Sequence, residues 1–261
     1  MRRCARLLSG ALLALLLGCS SAPATAPATD TRRSGFEFMG PQTQAMQRDD
    51  GANPGMLWVK DGELLWNTQP ASRPSCAGCH GAAASSMRGV ATRYPAWDMQ
   101  LSRPVNLGSR IDLCLQRHQG LPPAGSEHEQ LLSLEAFIAH QSRGLPVAPD
   151  PDPRLAPARA RGAERFAQRI GQLDLSCAQC HDQNAGGRLA ASIIPQAHPT
   201  GYPLYRLEWQ ALGSLQRRLR GCMTGVRADP FAAGSQEMVE LELHLATRAM
   251  GMPLETPAVR P

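Results

Sequence analysis

The sequence predicts an all-α protein made of two similar domains. The pattern Cys-x-x-Cys-His occurs twice, at Cys76–His80 and at Cys177–His181, and the two histidines lie about 100 residues apart. Amphipathic helix patterns flank both copies, whereas no strand pattern of convincing length appears. The chain therefore resembles a duplication in which each half carries one copy of the motif.

The repeated motif indicates covalent attachment of haem. Two thiols three residues apart can each form a thioether with a haem vinyl group, and the following histidine can ligate the iron. The alternatives are a Cys-x-x-Cys redox pair and half a zinc site. A zinc site would need a second pair of ligands close by, and neither copy has one. Residues expected to hold the two haem c groups are Cys76, Cys79 and His80 in the first copy and Cys177, Cys180 and His181 in the second. Short helices around each haem predict two tandem cytochrome c-like domains.

The N-terminal residues have the pattern of an export signal. Three arginines precede the apolar run Leu7–Leu17, which is too short to span a bilayer. We expect a signal peptide over 1–19, a tether rich in Ala, Pro, Thr and Ser over 20–31, and a periplasmic location.

The signal has two alternative ends. Leu16–Cys19 resembles a bacterial lipobox with Cys19 as the lipidated residue, while Ala22–Ala24 is an ordinary small-residue cleavage site. We favour the lipobox slightly, which predicts a lipid anchor through Cys19.

A proline-rich stretch divides the mature chain. Five prolines between positions 146 and 157 allow neither a helix nor a central strand. We therefore predict an N-terminal cytochrome c-like domain over 32–147, a linker over 148–157 and a C-terminal domain over 158–261.

Each half has two helix candidates. Met56–Trp66 and Ala158–Ile170 precede the haem motifs, although a glycine inside each weakens the prediction. A capping box at Ser126 and Glu129 precedes an apolar stripe in the first half, and Met238–Ala249 carries a similar stripe in the second.

The composition is that of a globular protein, because 43% hydrophobic residues are enough to form hydrophobic cores. The formal charge of +5 is a mild excess, with Lys60 as the only lysine, and it gives no reason to expect nucleic-acid binding.

Two further cysteines are candidates for the distal iron ligands. Cys114 and Cys222 stand one in each half, at comparable distances after the haem motifs. A disulfide between them and two inert buried thiols are alternatives. Other residues that could ligate instead are Met99, His118 and Met223. His118 is the strongest rival, since it follows Cys114 at i+4 on the same helical face.

The stretch Leu204–Cys222 follows a helical period, with Arg218 on the same face as Cys222 and Gly221 near the predicted end. A guanidinium beside a thiol lowers the thiol pKa and forms a two-point site for a small oxyanion. This pairing suggests catalysis. The alternative is that Arg218 caps the helix or pairs with a haem propionate.

Several longer strings carry a resemblance to a known family. They are Arg32–Met39, Asn53–Trp58, Ile111–His118, Ala139–Gly144, Leu175–Asp182, His198–Pro203 and Arg217–Cys222, beside the first haem motif. In these strings the chain resembles the SoxA family, the dihaem A subunits of the Sox thiosulfate-oxidising system. Gln119–Ser126 resembles the family least, and a lipobox-like end is unusual for it.

The resemblance implies an L-cysteine S-thiosulfotransferase that pairs with a haem-bearing SoxX subunit. The pair would couple thiosulfate oxidatively to a cysteine of the carrier SoxYZ, with electrons leaving to an acceptor cytochrome c. It also implies that His80 and Cys114 ligate one iron, that His181 and Cys222 ligate the other, and that Cys222 is the active residue, as a persulfide near Arg218. A plain periplasmic dihaem electron-transfer cytochrome and a docking subunit without a catalytic role are the alternatives.

We expect native protein to fractionate with membranes through a lipidated Cys19, and Cys19→Ala to release it. Cell fractionation with mass spectrometry of the mature N-terminus checks this. Soluble native protein with an N-terminus near Pro27 would show that the ordinary cleavage site is used.

Overall fold

The computed structural model describes residues 30–71 and 73–261, so the predicted signal peptide, Cys19 and most of the tether lie outside the described residues. Helices dominate the described part. The α-helices are α1 (Pro41–Arg48), α2 (Gly55–Asn67), α3 (Cys76–His80), α4 (Ala83–Ser86), α5 (Leu107–Cys114), α6 (Glu129–His140), α7 (Ala156–Ala167), α8 (Leu215–Gly225) and α9 (Gln236–Arg248). The short strands are β1 (Ala96–Asp98), β2 (Arg103–Val105), β3 (Arg188–Leu189), β4 (Ser192–Ile193), β5 (Leu204–Arg206), β6 (Ala211–Gly213) and β7 (Ala258–Arg260).

A pair of closely packed helices forms the scaffold of each half. Helix α2 packs on α6, and α7 packs on α9. At both crossings a glycine faces backbone: a Cβ on Gly62 would lie 2.0 Å from the carbonyl oxygen of Ser133, and a Cβ on Gly162 would lie 2.0 Å from that of Glu240. The glycines that weaken the helix predictions are therefore the residues that permit the two helices to touch.

Apolar side chains from these pairs build the cores. In the first half Val59 and Trp66 of α2 are buried with Phe137 of α6, and the Trp66 and Phe137 ring centroids are 6.0 Å apart. In the second half Phe166 of α7 is buried with Leu241 of α9. The four helix candidates are confirmed, with α7 ending before Ile170, which instead bridges to Leu175.

The predicted capping box is wrong. Helix α6 begins only at Glu129, with His128 as its N-cap and without a side-chain cap bond. Ser126 instead lines a cavity beside the helix.

The helix predicted over Leu204–Cys222 is wrong in its first half. Strand β5 pairs with β6 on one edge and in parallel with β7 on the other, so these residues join a small three-stranded sheet. Helix α8 begins at Leu215, capped by Ser214, and continues past Cys222 to Gly225. Tertiary pairing with the C-terminal strand outweighs the local helical period here.

The two halves are joined by the C-terminal residues. Strand β7 lies against α1, with the Val259 N–H donating to Gln47 at 3.1 Å, and the Gly144 N–H donates to the Leu254 carbonyl at 2.8 Å. Residues Arg32 to Pro261 form one compact unit. The domain boundaries near the linker stay a prediction. In the part of the chain described here, the helices are too short or too polar to cross a bilayer.

Gly62→Ala should destabilise the fold by about 1–3 kcal/mol or more, because the new methyl group would lie 2.0 Å from the Ser133 carbonyl oxygen and 2.6 Å from the Phe137 Cβ. Gly221→Ala is the matched control, since its Cβ meets nothing within 4 Å and alanine favours a helix. Urea unfolding of both variants measures the difference. A Gly62→Ala protein as stable as the parent would contradict the close crossing.

Candidate functional site

The second haem motif begins with a reciprocal cap. The Ser176 N–H donates to the Gln179 side chain at 2.8 Å, and the Gln179 N–H donates to Ser176 Oγ at 3.1 Å. This cap holds Cys177–His181 as a tight helical turn. Burial, followed by the neighbouring Cys222, raises the pKa of Cys177 to about 11. The structure therefore brings Cys222 close to the thiols of the second motif.

His181 is oriented by the backbone. Its Nδ1 lies 2.6 Å from the carbonyl oxygen of Pro195, which accepts the ring proton when Nδ1 carries it. Burial lowers the pKa of His181, and the charges of Arg218 and Arg248 lower it further. A neutral imidazole with its Nε2 lone pair available is the form that ligates a metal.

His181, Arg218 and Cys222 line one pocket with a volume of 560 Å³. That volume is within the range of cofactor sites, and most of the wall is apolar. Arg218 and Cys222 are one turn apart on α8, as the helical period predicts. The pocket, two motif thiols, an oriented imidazole and a further thiol together fit a covalently attached haem.

Four arginines and one carboxylate, that of Glu37, give the pocket a net positive lining; the arginines are Arg188, Arg206, Arg218 and Arg260. Arg206 is paired with Glu208 at 2.9 Å, and Arg260 with Glu255 at 3.1 Å. Arg218 has no carboxylate partner within residues 30–71 and 73–261, so its guanidinium is available for an anion. Of this set the sequence singled out only Arg218, because the others come from strands and loops whose approach no local pattern indicates.

An N-terminal segment forms part of the pocket wall. Ser34 and Glu37 hold the segment in a capping box. Its pocket-lining residues are Gly35, Glu37, Phe38, Met39 and Gly40. The Ser34 hydroxyl also donates to Glu255 at 2.6 Å, which ties the segment to the C-terminal residues. The string Arg32–Met39 was noticed in the sequence only as part of a resemblance.

The first haem motif is more open. Ser75 caps α3 by accepting the Gly78 N–H at 3.0 Å, and Cys79 and His80 are exposed. Trp66 supports the turn, with its ring centroid 5.7 Å from that of His80 and its Nε1–H donating to the Gly81 carbonyl at 3.2 Å.

Cys114 lies at the end of α5, close to the first motif. Burial raises the pKa of Cys114 and then Cys79 raises it further, whereas Arg110 and Arg117 lower it. Both arginines pair with the buried Asp98, at 2.6 and 3.6 Å. The structure thus gathers Cys114 with the motif thiols.

The structure also places the rival ligands. His118 is exposed, Met99 Sδ is 2.9 Å from an Arg154 nitrogen, and Met223 is buried in the core of the second half. Cys114 and Cys222 are both free thiols beside different motifs, which speaks against a disulfide between them.

Comparison with known proteins gives a consistent result. Residues 61–147 and 161–254 match the model of the SoxA/TsdA cytochrome c domain. The chain is 39% identical to the L-cysteine S-thiosulfotransferase subunit SoxA of Pseudaminobacter salicylatoxidans over 233 residues, covering 88% of this chain and 82% of the relative. It is 35% identical to SoxA of Rhodovulum sulfidophilum, covering 88% and 81%. The crystal structure of SoxXA from P. pantotrophus matches with a TM-score of 0.84 at 33% identity, covering 88% of this chain and 87% of that chain.

We expect Cys114→Ala to change the ligand field of the first haem, and His118→Ala to leave it unaltered, because Cys114 lies beside the motif thiols and His118 is exposed. Electron paramagnetic resonance of the oxidised protein measures this, and intact mass confirms that each variant retains its haem. An altered spectrum in His118→Ala alone would assign the ligand to His118.

Proposed function

The chain belongs to the SoxA family of L-cysteine S-thiosulfotransferase subunits, and we propose that it couples thiosulfate oxidatively to a cysteine thiol of a carrier protein. The observation that carries this is the pocket lined by Cys222, Arg218 and His181 of the second haem motif, in which Arg218 has no carboxylate partner among the described residues. The cytochrome c family implies haem c as cofactor.

We further propose that the chain binds two haems, one in each of two cytochrome c-like domains. The support for this is the repetition within the chain: each half has a capped Cys-x-x-Cys-His turn, a preceding helix with an internal glycine, and a later helix packed on it. Residues proposed to hold the haems are Cys76, Cys79, His80 and Cys114 for the first, and Cys177, Cys180, His181 and Cys222 for the second.

The net reaction sets what the site must do. Thiosulfate and a thiol lose two electrons and one proton in total as the sulfur–sulfur bond forms. Each bound haem supplies a one-electron acceptor, and its potential depends on the axial ligands. The protein must bind the dianion, keep a reactive sulfur next to it, and admit the acceptor thiol.

Arg218 is proposed to bind the thiosulfate oxygens. Its planar guanidinium can donate two parallel hydrogen bonds to an oxyanion, and the other arginines of the pocket attract the dianion. Cys222 is proposed to carry the reactive sulfur, as thiolate or persulfide, because it lies one helical turn from Arg218 in the same pocket.

The partners follow from the same proposal. The structural match to a SoxXA complex supports a haem-bearing SoxX subunit. The carrier SoxYZ and an acceptor cytochrome c complete the reaction, and a periplasmic location, with or without a lipid anchor, suits the predicted export signal.

Cys222→Ala should abolish thiosulfate turnover with both haems still attached. Arg218→Lys should lower turnover about 10-fold or more, since a point charge cannot reproduce a two-point contact worth roughly 1.5–3 kcal/mol. Reduction of an external cytochrome by thiosulfate, with the haem-bearing partner and a thiol acceptor, measures both.

Arg217→Lys is the matched control, because Arg217 lies over the ring of Trp209, 4.1 Å from its centroid, and does not line the pocket. Near-normal turnover by Cys222→Ala would favour the plain electron-transfer cytochrome. Capture of the partner and carrier without any turnover would favour the docking subunit.

A further inference from the structure

A second cavity, of 290 Å³, lies between the two halves and is acidic. Asp112, Glu135 and Glu242 line it, whereas its lining within the described ranges contains no lysine, arginine or histidine. Nothing in the sulfur chemistry proposed above uses these carboxyls.

The cavity adjoins the pocket of the second haem motif. Pro199, Tyr202 and Leu215 line both spaces, so a wall one residue thick separates them. Burial raises the pKa of Tyr202 to about 12, so the tyrosine in that wall stays neutral.

Glu135 and Glu242 meet at the N-termini of the helices that carry the distal cysteines. Glu135 of α6 accepts the Gly108 N–H at the start of α5, the helix that ends at Cys114. Glu242 of α9 faces the amides of Asn106, the N-cap of α5, and of Gln216 at the start of α8. Cys222 follows on α8, about 10 Å along the helix axis.

The polar groups around Glu242 are incompletely satisfied. Glu242 is 5% exposed and Gln216 is 1% exposed, yet Glu242 Oε2 and Gln216 Nε2 have no hydrogen-bond partner among the described residues. An ionised carboxylate with an unpartnered oxygen in such a site is costly, and a proton on the pair removes that cost.

The charges that face the pair also disfavour two carboxylates. Burial, then the charges of Glu242 and Glu127, raises the pKa of Glu135 to about 8, against the lowering effect of the Gly108 N–H. Burial raises the pKa of Glu242 to about 7, and the nearby amides of Asn106 and Gln216 offset only part of that rise. Asp112 is already engaged by the Ala124 N–H and the Gln116 amide, and Tyr94 is the remaining titratable group in the wall. Glu127 is partly balanced by Arg217 at 4.0 Å.

We propose that the partly buried Glu135 and the buried Glu242 form a proton-binding site that takes up one proton when an electron arrives in the adjoining haem pocket and releases it when the electron leaves. The inference rests on the proposed function for the source of the electron, which is sulfur oxidation. On reduction one carboxylate oxygen gains an O–H bond to a proton from solvent while the iron gains the electron, and on reoxidation both leave. An added negative charge beside a low-dielectric wall favours the protonated acid, which gives the direction of the coupling.

Infrared spectroscopy of the holoprotein tests the pair directly. A protonated-carboxyl C=O band should be present in the oxidised protein, should titrate away between about pH 7 and about pH 8, and should grow on electrochemical reduction at those pH values. Glu242→Gln should move the titration of the Glu135 band to lower pH, because the repulsion from Glu242 is gone. Glu135→Gln should leave only the Glu242 band, which titrates near pH 7, and the double substitution should remove the band. Glu129→Gln, an exposed residue of the same helix, is the control and should leave the band unchanged.

The potential of the second haem is the other readout. It should fall as pH rises through the same interval in the parent protein and in Glu129→Gln, and should lose that dependence when Glu135→Gln and Glu242→Gln are combined. A parent protein without the band, a band that survives both substitutions, or a band that ignores the redox state would each overturn the proposal. None of these readouts needs thiosulfate turnover, so failure of the sulfur chemistry would be seen separately.

Discussion

The whole arrangement depends on two places where helix backbones touch. Gly62 faces the backbone of Ser133, and Gly162 faces that of Glu240, so α2 with α6 and α7 with α9 approach more closely than any side chain would allow. Each haem motif follows shortly after the first helix of its pair. The glycine contact therefore fixes where each Cys-x-x-Cys-His turn lies relative to the core, and both halves use the same solution.

The halves then diverge in what surrounds the motif. In the first half Cys79 and His80 are exposed, and Trp66 supports the turn from one side. In the second half a backbone carbonyl orients His181, and the pocket is completed by α8, the small sheet and the N-terminal segment. An arginine-lined pocket suits holding a small anion beside a sulfur, which supports the proposal that the sulfur chemistry takes place in the second half.

Charge is separated across a thin wall. The haem pocket gathers arginines, and the neighbouring cavity gathers carboxyls, with Pro199, Tyr202 and Leu215 between them. A positive pocket lowers the cost of binding a dianion. Helices α5 and α8, which carry Cys114 and Cys222, both begin at this cavity.

The sequence alone determined the features that depend on neighbours along the chain. The spacing of Cys76 to His80 and of Cys177 to His181 follows from haem chemistry, the four amphipathic helices follow from their period, and the i+4 relation of Arg218 to Cys222 is local geometry. Only the tertiary structure decided the remainder. Strand β5 forms because the distant β7 pairs with it, and the pocket arginines and the pair of Glu135 with Glu242 come from segments far apart in sequence. A contact between remote segments leaves no periodic trace in either one, so no local pattern could reveal it.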